Sequence, residues 1–248
     1  MKLYITAASS VGCVRQNNED MVLVSGAFVR DTEYQAIIDT TQRDRLLLAL
    51  ADGMGGHNGG EVASSDTLHN LQYFYGDLPT GLSSEQLIDK MRRWQESMSM
   101  IIDSKSSTRP ELSGMGTTLV ALVSYNHKYY WLNCGDSRLY RLHEGVLEQL
   151  TTDHSLEAIT GREEHANILT NCIGGGCKDN FLDMQPITAY MLPGDTYMLC
   201  SDGLYNMLDN VVLAKLLRGR ATASQLCDEA CRAGGLDNVS CCVVRVEW

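Results

Sequence analysis

Short apolar runs of strand length alternate with polar turns in the first part of the chain. The pattern predicts strands over 3–10 and 21–26, joined by a polar turn. A continuous apolar run, 45–52, predicts a buried strand, because a strand covered on both faces lacks polar alternation. The run ends at Asp52, and five glycines fall within the eight residues 53–60. Glycine inside a helix or strand lowers stability by roughly 0.5–1 kcal/mol relative to alanine, so five glycines close together need a physical explanation.

Two helices are predicted after the glycine loop. Leu68, Leu71 and Tyr75 recur at helical spacing and predict a helix from about 61 to 75. An amphipathic stripe predicts a second helix over about 84–103. The apolar members of that stripe are Leu87, Met91, Trp94, Met98 and Ile101. We expect the methionine and tryptophan side chains to face the core rather than a cofactor.

Beyond Gly116 the pattern returns to strands separated by short turns, which indicates an antiparallel meander. These strands are predicted at 117–125, 128–134, 137–143 and 146–150. Residues 151–186 are expected to be irregular. A buried strand, two short helices and a closing strand follow at 196–201, 210–218, 222–232 and 238–246. Two runs of strands, each with a helix pair, favour an α+β sandwich with helices outside, because a parallel α/β fold needs strict alternation.

The composition is that of one globular domain. The chain has 248 residues, 44% apolar and 21% charged, without a low-complexity linker. No apolar run approaches the ~20 residues needed to span a bilayer. The start lacks a basic segment followed by an apolar one, so we expect a cytoplasmic protein that does not bind membranes. The net charge of −11 argues against binding to nucleic acid, which needs a basic surface.

Nine cysteines are present, an odd number without a C-x-x-C motif. Several lie in apolar runs, which favours buried, reduced thiols and agrees with a cytoplasmic location. Cys172 and Cys177 flank a glycine run, and a zinc site there is the alternative. No second pair with finger-like spacing accompanies them, which disfavours zinc.

Carboxylates recur at the ends of the predicted strands. They are Asp52, Asp136 and Asp202 after apolar strands, and Glu19, Asp20 and Asp237 before strands. One Asp-Gly alone indicates only a turn. Strands paired in one sheet could bring all these ends to one edge, where the carboxylates would repel one another unless they bind a cation or share protons. Oxygen ligands without His or Cys select Mg²⁺ or Mn²⁺.

Arg15 lies four residues before Glu19. A guanidinium near a metal site suits a phosphate, because it stays charged and donates two parallel hydrogen bonds. A salt bridge from Arg15 to Glu19 or Asp20 is the alternative. Glycine beside Asp52 would leave the Gly53 carbonyl free for coordination. Together these residues predict metal-assisted attack of water on phosphorus.

Seven segments occur in the order that a known family has them. They are 14-VRQNNED-20, 51-ADGMGGHNGGEVAS-64, 114-GMGTTLVAL-122, 134-CGDSRLYRL-142, 150-LTTDHSL-156, 193-PGDTYMLCSDGLYNML-208 and 235-GLDNVSCCVV-244. With these motifs the chain resembles the metal-dependent Ser/Thr protein phosphatases, the PPM or type-2C family, in its compact bacterial form. The resemblance implies a four-layer α-β-β-α sandwich of two antiparallel sheets flanked by helix pairs. It also implies a single domain, 1–248, with a short flap at about 151–186.

The resemblance implies a dinuclear Mn²⁺ or Mg²⁺ centre with two tight ions and a weaker third. By position, Asp52 would bridge the two tight ions. Asp202 and Asp237 would complete the site of one ion, and Glu19 with the Gly53 carbonyl would serve the other.

Further roles follow from the same resemblance. Asp20 would hydrogen-bond water on the metals, and Asp136 with Asp202 would form the third, weaker site. Arg15 would bind the phosphate. Asn238 would support the neighbouring Asp237 in its loop, and Ser201 would be structural rather than nucleophilic.

The chain departs from the family pattern in two places. Eukaryotic members have a histidine, thought to be the general acid, where Met54 stands, and bacterial members have one at the position of His57. His57 is therefore the candidate proton donor, although it could instead begin the following helix or bind a carboxylate. The flap segment 157–167 is shorter than the family's, which affects substrate choice and the third ion.

The resemblance favours hydrolysis of phosphoserine and phosphothreonine in proteins by metal-activated water. Phosphoprotein substrates and a partner Ser/Thr kinase are the expected partners, and we expect a monomer. The alternatives are a phosphatase of small phosphorylated molecules and a pseudophosphatase that only binds. The complete set of candidate ligands, Asp52, Asp202 and Asp237 among them, argues against the latter.

Overall fold

The structure is a computed structural model that describes residues 1–55, 59–162 and 168–247. The strands are β1 (Lys2–Ser10), β2 (Asp20–Val24), β3 (Ala27–Val29), β4 (Glu33–Asp39), β5 (Arg45–Met54), β6 (Gly116–Thr117), β7 (Leu119–Tyr125), β8 (Lys128–Cys134), β9 (Arg138–His143), β10 (Val146–Gln149), β11 (Ile173–Gly174), β12 (Asp183–Pro186), β13 (Thr196–Cys200) and β14 (Val239–Glu247). The helices are α1 (Gly59–Gly76), α2 (Ser84–Thr108), α3 (Leu156–Thr160), α4 (Asp202–Tyr205), α5 (Asn210–Arg218) and α6 (Ala223–Arg232).

The strands form two antiparallel sheets. The first has the order β10-β9-β13-β14-β1-β4. In the second, β5 lies between β2 and β7, followed by β8 and β12, and β3 pairs with β2. The short strands β6 and β11 extend this sheet beside the end of β5.

Strand β5 shows how the layers are built. Its residues Leu46, Leu48 and Leu50 belong to the core between the two sheets. The alternate residues Leu47, Ala49 and Ala51 belong to the core beneath α1 and α2. Burial on both faces explains the continuous apolar run, as the sequence predicted.

The helix pair α5 and α6 covers the outer face of the first sheet. Leu213, Leu217 and Leu226 of these helices share a core with Met198 and Val243 of that sheet. With α1 and α2 on the other side, the four-layer α-β-β-α sandwich is confirmed.

Helix boundaries follow from capping. Ser83 and Gln86 form a reciprocal capping box at the start of α2, and Thr222 with Gln225 does the same for α6. Asp209 accepts a hydrogen bond from the Val212 amide at the start of α5. Because these side chains satisfy amides that have no partner within the helix, they place the helix starts within a residue or two of the prediction.

The predicted meander is wrong. Strands β7 and β8 pair, but β9 lies in the other sheet, between β10 and β13. Both edges of β8 are already paired, with β7 and β12, so β9 has no edge of β8 to join. The segment 135–137 therefore crosses from one sheet to the other, and it carries Asp136 across the end of the sandwich.

Three smaller predictions also differ from the structure. Residues 151–186 contain α3, β11 and β12, and are not wholly irregular. Strands β3 and β4 were not anticipated, because their alternation is weak and β4 is largely exposed. On α2 the stripe ends at the buried Ile102, whereas Ile101 is exposed. No helix in the described parts of the chain is both long and apolar enough to cross a membrane.

Candidate active site

The predicted site residues meet at one end of the sandwich. A cavity of about 450 Å³ is lined by residues from both sheets, namely Arg15, Glu19, Asp52, Gly53, Met54, Gly55, Thr118, Asp136, Leu169, Asp202, Gly203, Asn206, Met207, Leu236, Asp237 and Asn238. Asp20 lies beside it, directly opposite Asp52 in the pairing of β2 with β5. The structure thus brings together every predicted site residue that it describes. His57 lies outside the described residues.

Asp52 is held by its backbone at the end of β5. Its amide donates to the Thr118 hydroxyl at 3.0 Å, and its carbonyl accepts from the Thr118 amide and the Thr117 hydroxyl, both at 2.9 Å. The Asp52 and Asp202 carboxyls line the same cavity and repel each other. Burial and the surrounding carboxylates raise the pKa of Asp52 well above its usual value. A proton on one of these carboxyls, or a cation between them, would relieve the repulsion.

Asp20 is fully buried, and its two carboxylate oxygens differ. Oδ2 accepts a hydrogen bond from the Ser201 hydroxyl at 2.7 Å, whereas Oδ1 has no partner. Burial raises the pKa of Asp20 to about 7. Ser201 is itself fully buried and accepts from the Ser240 amide at 3.1 Å, which agrees with the structural role expected for it.

Glu19 lies against the start of α1, and this contact explains two of the glycines. A Cβ at Gly60 would lie 2.7 Å from the Glu19 carboxyl carbon, and one at Gly53 would lie 2.0 Å from the Gly60 carbonyl oxygen. The Ser64 hydroxyl donates to the Glu19 carbonyl at 2.5 Å. Glycine is therefore required where helix α1, strand β5 and the segment before β2 approach one another closely. Burial raises the pKa of Glu19.

Arg15 pairs with Asp237, at 2.7 Å between Nη2 and Oδ2, and not with Glu19 or Asp20. The Arg15 side chain is 53% exposed, so its guanidinium stands at the rim of the cavity. The Asn238 side chain accepts from the Glu19 amide and donates to the carbonyls of residues 11 and 17. Asn238 thus holds the loop that carries Arg15 and Glu19, and its own amide donates to Asp237.

Asp136 stands where the chain crosses between the sheets. Burial, followed by repulsion from Asp202, raises the pKa of Asp136 to about 7, and burial raises that of Asp202 to about 6. The Tyr205 hydroxyl donates to the Asp136 carbonyl at 3.1 Å. Below this turn, His154 Nδ1 accepts from the Gly135 amide at 3.1 Å, and Nε2 lies 3.1 Å from Asp183.

The donor set fits divalent cations that prefer oxygen. Five carboxylates and the Arg15 guanidinium line the cavity, and beside it the unpaired Oδ1 of Asp20 is a buried acceptor. Across the described residues, no three carboxylate, cysteine or histidine side chains already form a cation cage. The carboxylates would therefore have to draw together around an ion, whose positive charge would offset their mutual repulsion.

Sequence patterns did not reveal the contacts of Thr117, Thr118 and His154, and they gave Ser201 a structural role without naming its partner Asp20. Thr117, Thr118, Ser201 and His154 act through contacts with residues distant in the chain. The only signal was their position inside the quoted motifs. Cys172 and Cys177 are free thiols and belong to no cation cage among the described residues.

Comparisons with known proteins agree with this geometry. Residues 23–244 match the Protein phosphatase 2C family. The chain is 32% identical to the Serine/threonine phosphatase stp of Listeria monocytogenes, over 94% of this chain and 92% of that protein. It is 32% identical to the Serine/threonine protein phosphatase PstP of Mycobacterium tuberculosis, over 98% of this chain. It spans only 45% of the length of that protein.

Solved structures show the same fold. The serine/threonine phosphatase of S. agalactiae superposes with a TM-score of 0.79 at 29% identity, over 99% of this chain and all of that one. The catalytic domain of PstP in complex with two manganese ions superposes with a TM-score of 0.75 at 31% identity, over the whole of both chains. With its sandwich and its cluster of carboxylates, the chain belongs to the protein phosphatase 2C family, in the form found among bacterial Ser/Thr phosphatases.

Proposed function

We propose that this protein hydrolyses phosphoserine and phosphothreonine in proteins at a dinuclear Mn²⁺ or Mg²⁺ centre. The observation that carries the proposal is the convergence of Glu19, Asp52, Asp202 and Asp237 on one cavity, with Arg15 at its rim. The named relatives are Ser/Thr phosphatases, and one was solved with two manganese ions. Such ions, when bound, would lower the pKa of a water molecule and polarise the phosphate.

Asp52 is the residue best placed to join two ions. It lies opposite Asp20 in the pairing of β2 with β5, and it lines the cavity together with Asp202. In this proposal Asp202 and Asp237 hold one ion, and Glu19 with the Gly53 carbonyl holds the other. Asp136 lies near Asp202 and is the proposed ligand of a weaker third ion.

Arg15 and Asp20 have the proposed roles of binding phosphate and handling protons. Arg15 keeps donor groups beyond the one bonded to Asp237, and its exposure lets a phosphate reach them. The free Oδ1 of Asp20 can accept a proton from a nearby water. Met54 has no proton to donate, so His57 remains the proposed donor to the leaving serine or threonine oxygen.

We also propose that the protein is a cytoplasmic monomer that acts opposite a Ser/Thr kinase. Its nine cysteines are all free, which suits a reducing compartment. The exposed cavity rim suits a phosphorylated segment of another protein better than a small, fully enclosed molecule.

A substrate comparison tests the proposal. The purified protein with Mn²⁺ is assayed on matched phosphoserine, phosphothreonine and phosphotyrosine peptides and on small phosphorylated metabolites. We expect a higher kcat/KM for the phosphoserine and phosphothreonine peptides, and no turnover in EDTA. Preferential turnover of a metabolite would instead show a small-molecule phosphatase. An absence of turnover with tight phosphopeptide binding would show a pseudophosphatase.

A further inference from the structure

Two cysteines lie together behind the loops that carry Arg15 and Asp237, and neither lines the cavity. Cys13 is exposed and belongs to the loop between β1 and β2 that also carries Arg15. Cys231 lies in the last turn of α6 and is partly exposed. The Cys13 Sγ lies 3.5 Å from the Cys231 carbonyl oxygen, so the two cysteines are in direct contact.

The backbone holds the two cysteines in this arrangement. The Cys13 amide donates to the Gly235 carbonyl at 2.8 Å, and the Gly235 amide donates to the Ala230 carbonyl at 3.0 Å. Gly235 has a φ of +53°, and a Cβ there would lie 2.8 Å from the Cys13 Sγ and 3.1 Å from the Cys231 Cα. The end of α6 and the loop of Cys13 are thus packed without space for an additional side-chain carbon between them.

We propose that Cys13 and Cys231 form a peroxide-reactive pair that closes reversibly to a disulfide and regulates the site. Cys13 is the accessible thiol and reacts first. Its sulfur attacks hydrogen peroxide, so an S–O bond forms, the O–O bond breaks and one water leaves. Cys231 then attacks the sulfur of Cys13, so the S–S bond forms, the S–O bond breaks and a second water leaves. Two thiols are oxidised and one peroxide is reduced to two waters.

Two other close cysteine pairs provide internal comparisons. Cys227 and Cys241 have their sulfurs 4.0 Å apart, but both side chains are buried, so peroxide has no access to them. Cys172 is buried beside the partly exposed Cys177. Of the three close pairs named here, only Cys13–Cys231 exposes both thiols at least in part.

The disulfide would connect the two segments that carry the ion pair at the cavity rim. Cys13 lies two residues before Arg15, and Gly235 lies two residues before Asp237. A bond between Cys13 and Cys231 would hold the Arg15 loop against the end of α6 and restrict the guanidinium from turning towards a phosphate. The oxidised protein should therefore bind substrate more weakly, while its carboxylates stay in place.

The test oxidises the metal-free protein with hydrogen peroxide, removes the peroxide with catalase and then divides the sample. One half is alkylated, digested without reductant and analysed by mass spectrometry. The other half receives Mn²⁺ and is assayed with p-nitrophenyl phosphate, before and after dithiothreitol. We expect Cys13–Cys231 to be the first disulfide formed. We also expect KM to rise about tenfold, because that is the effect of losing one charge-assisted hydrogen bond to the phosphate. Dithiothreitol should restore the original KM.

Single variants complete the design. Cys13→Ser and Cys231→Ser should form no such disulfide and keep their KM after peroxide, whereas Cys177→Ser should behave like the unmodified protein. A different first disulfide, or a Cys13–Cys231 disulfide without a change in KM, would overturn the proposal. The activity measurement rests on the proposed function, but the mass spectrum does not. A protein inactive in both states would count against the phosphatase proposal, and the disulfide map would still decide the thiol pair.

Discussion

Replacing Ser201 by alanine tests whether Asp20 supports the metal centre. The Ser201 hydroxyl is a donor to the Asp20 carboxylate, whose other oxygen already lacks a partner. Without this donor the charged form of Asp20 is less stable, so its pKa should rise further. We expect Ser201→Ala to fold and to need a higher Mn²⁺ concentration for activity.

The size of the effect follows from the bond that is lost. A hydrogen bond to a charged group contributes about 1.5–3 kcal/mol, which corresponds to roughly 10–100-fold in an equilibrium constant. Groups that support metal ligands show losses of about the same size when they are replaced. The Mn²⁺ concentration that gives half-maximal rate should therefore rise by roughly 10–100-fold.

The assay is a Mn²⁺ titration of p-nitrophenyl phosphate hydrolysis at pH 8, with Ser99→Ala as the matched control. Ser99 is also a buried hydroxyl, but it bonds to Gln95 within α2, far from the carboxylates. Ser99→Ala should lose some stability and keep the Mn²⁺ dependence of the unmodified protein. A folded Ser201→Ala protein with an unchanged half-saturating Mn²⁺ concentration would refute the supporting role of Asp20.

Four further predictions concern protonation, metal binding, the third ion and proton transfer. In the metal-free protein, the pKa of Asp20 and of Asp136 lies above the unfolded value, so the folded state binds more protons between about pH 4 and 7. Tm should therefore fall as pH rises from 5 to 8. Mn²⁺ should raise Tm at pH 8 and EDTA should reverse this, whereas a flat response would exclude an assembled metal site. Asp136→Ala should lower turnover while calorimetry still counts two tight ions, and loss of a tight ion would contradict its assignment to the third site. His57→Ala should lose little activity on p-nitrophenyl phosphate but about 10²–10⁴-fold on a phosphoserine peptide, whose leaving group needs a proton. Equal losses on both substrates would exclude the general-acid role.

Local patterns predicted the elements of this fold well where one period dominated. The continuous apolar run of β5, the stripe on α2 and the short helices α5 and α6 all lie close to their predicted bounds. In each of these elements the buried residues form either a continuous apolar run or a regularly spaced stripe, and both patterns can be seen in the sequence. The crossing from β8 to β9 is not visible in this way, because the Gly135–Asp136 pair suits a hairpin as well as a change of sheet.

In the candidate site, too, local patterns predicted some residues and missed the partners that come from distant parts of the chain. The carboxylates Asp52, Asp136 and Asp202 could be predicted because each follows an apolar strand. The expectation that these strands pair in one sheet is wrong, because β5 lies in one sheet and β13 in the other, and the cavity lies between their ends. The hydrogen-bond partner of Asp20 could not be predicted, because Ser201 comes from the other sheet, 181 positions away. The alternative salt bridge of Arg15 to Glu19 or Asp20 does not form for a similar reason, and the binding of phosphate by Arg15 stays a prediction. Glu19 and Asp20 were near in sequence, whereas Asp237 is brought close only by the pairing of β14 with β1.

The most direct test of a dinuclear centre built on Asp52 is the Mn²⁺-dependent turnover of a phosphothreonine peptide by Asp52→Asn. Asparagine has the same shape and removes one buried charge, so the metal-free fold should survive. Loss of the oxygen that joins two ions should abolish most turnover at every Mn²⁺ concentration. A folded Asp52→Asn protein that turns over the peptide at nearly the unmodified rate in Mn²⁺ would contradict a dinuclear centre.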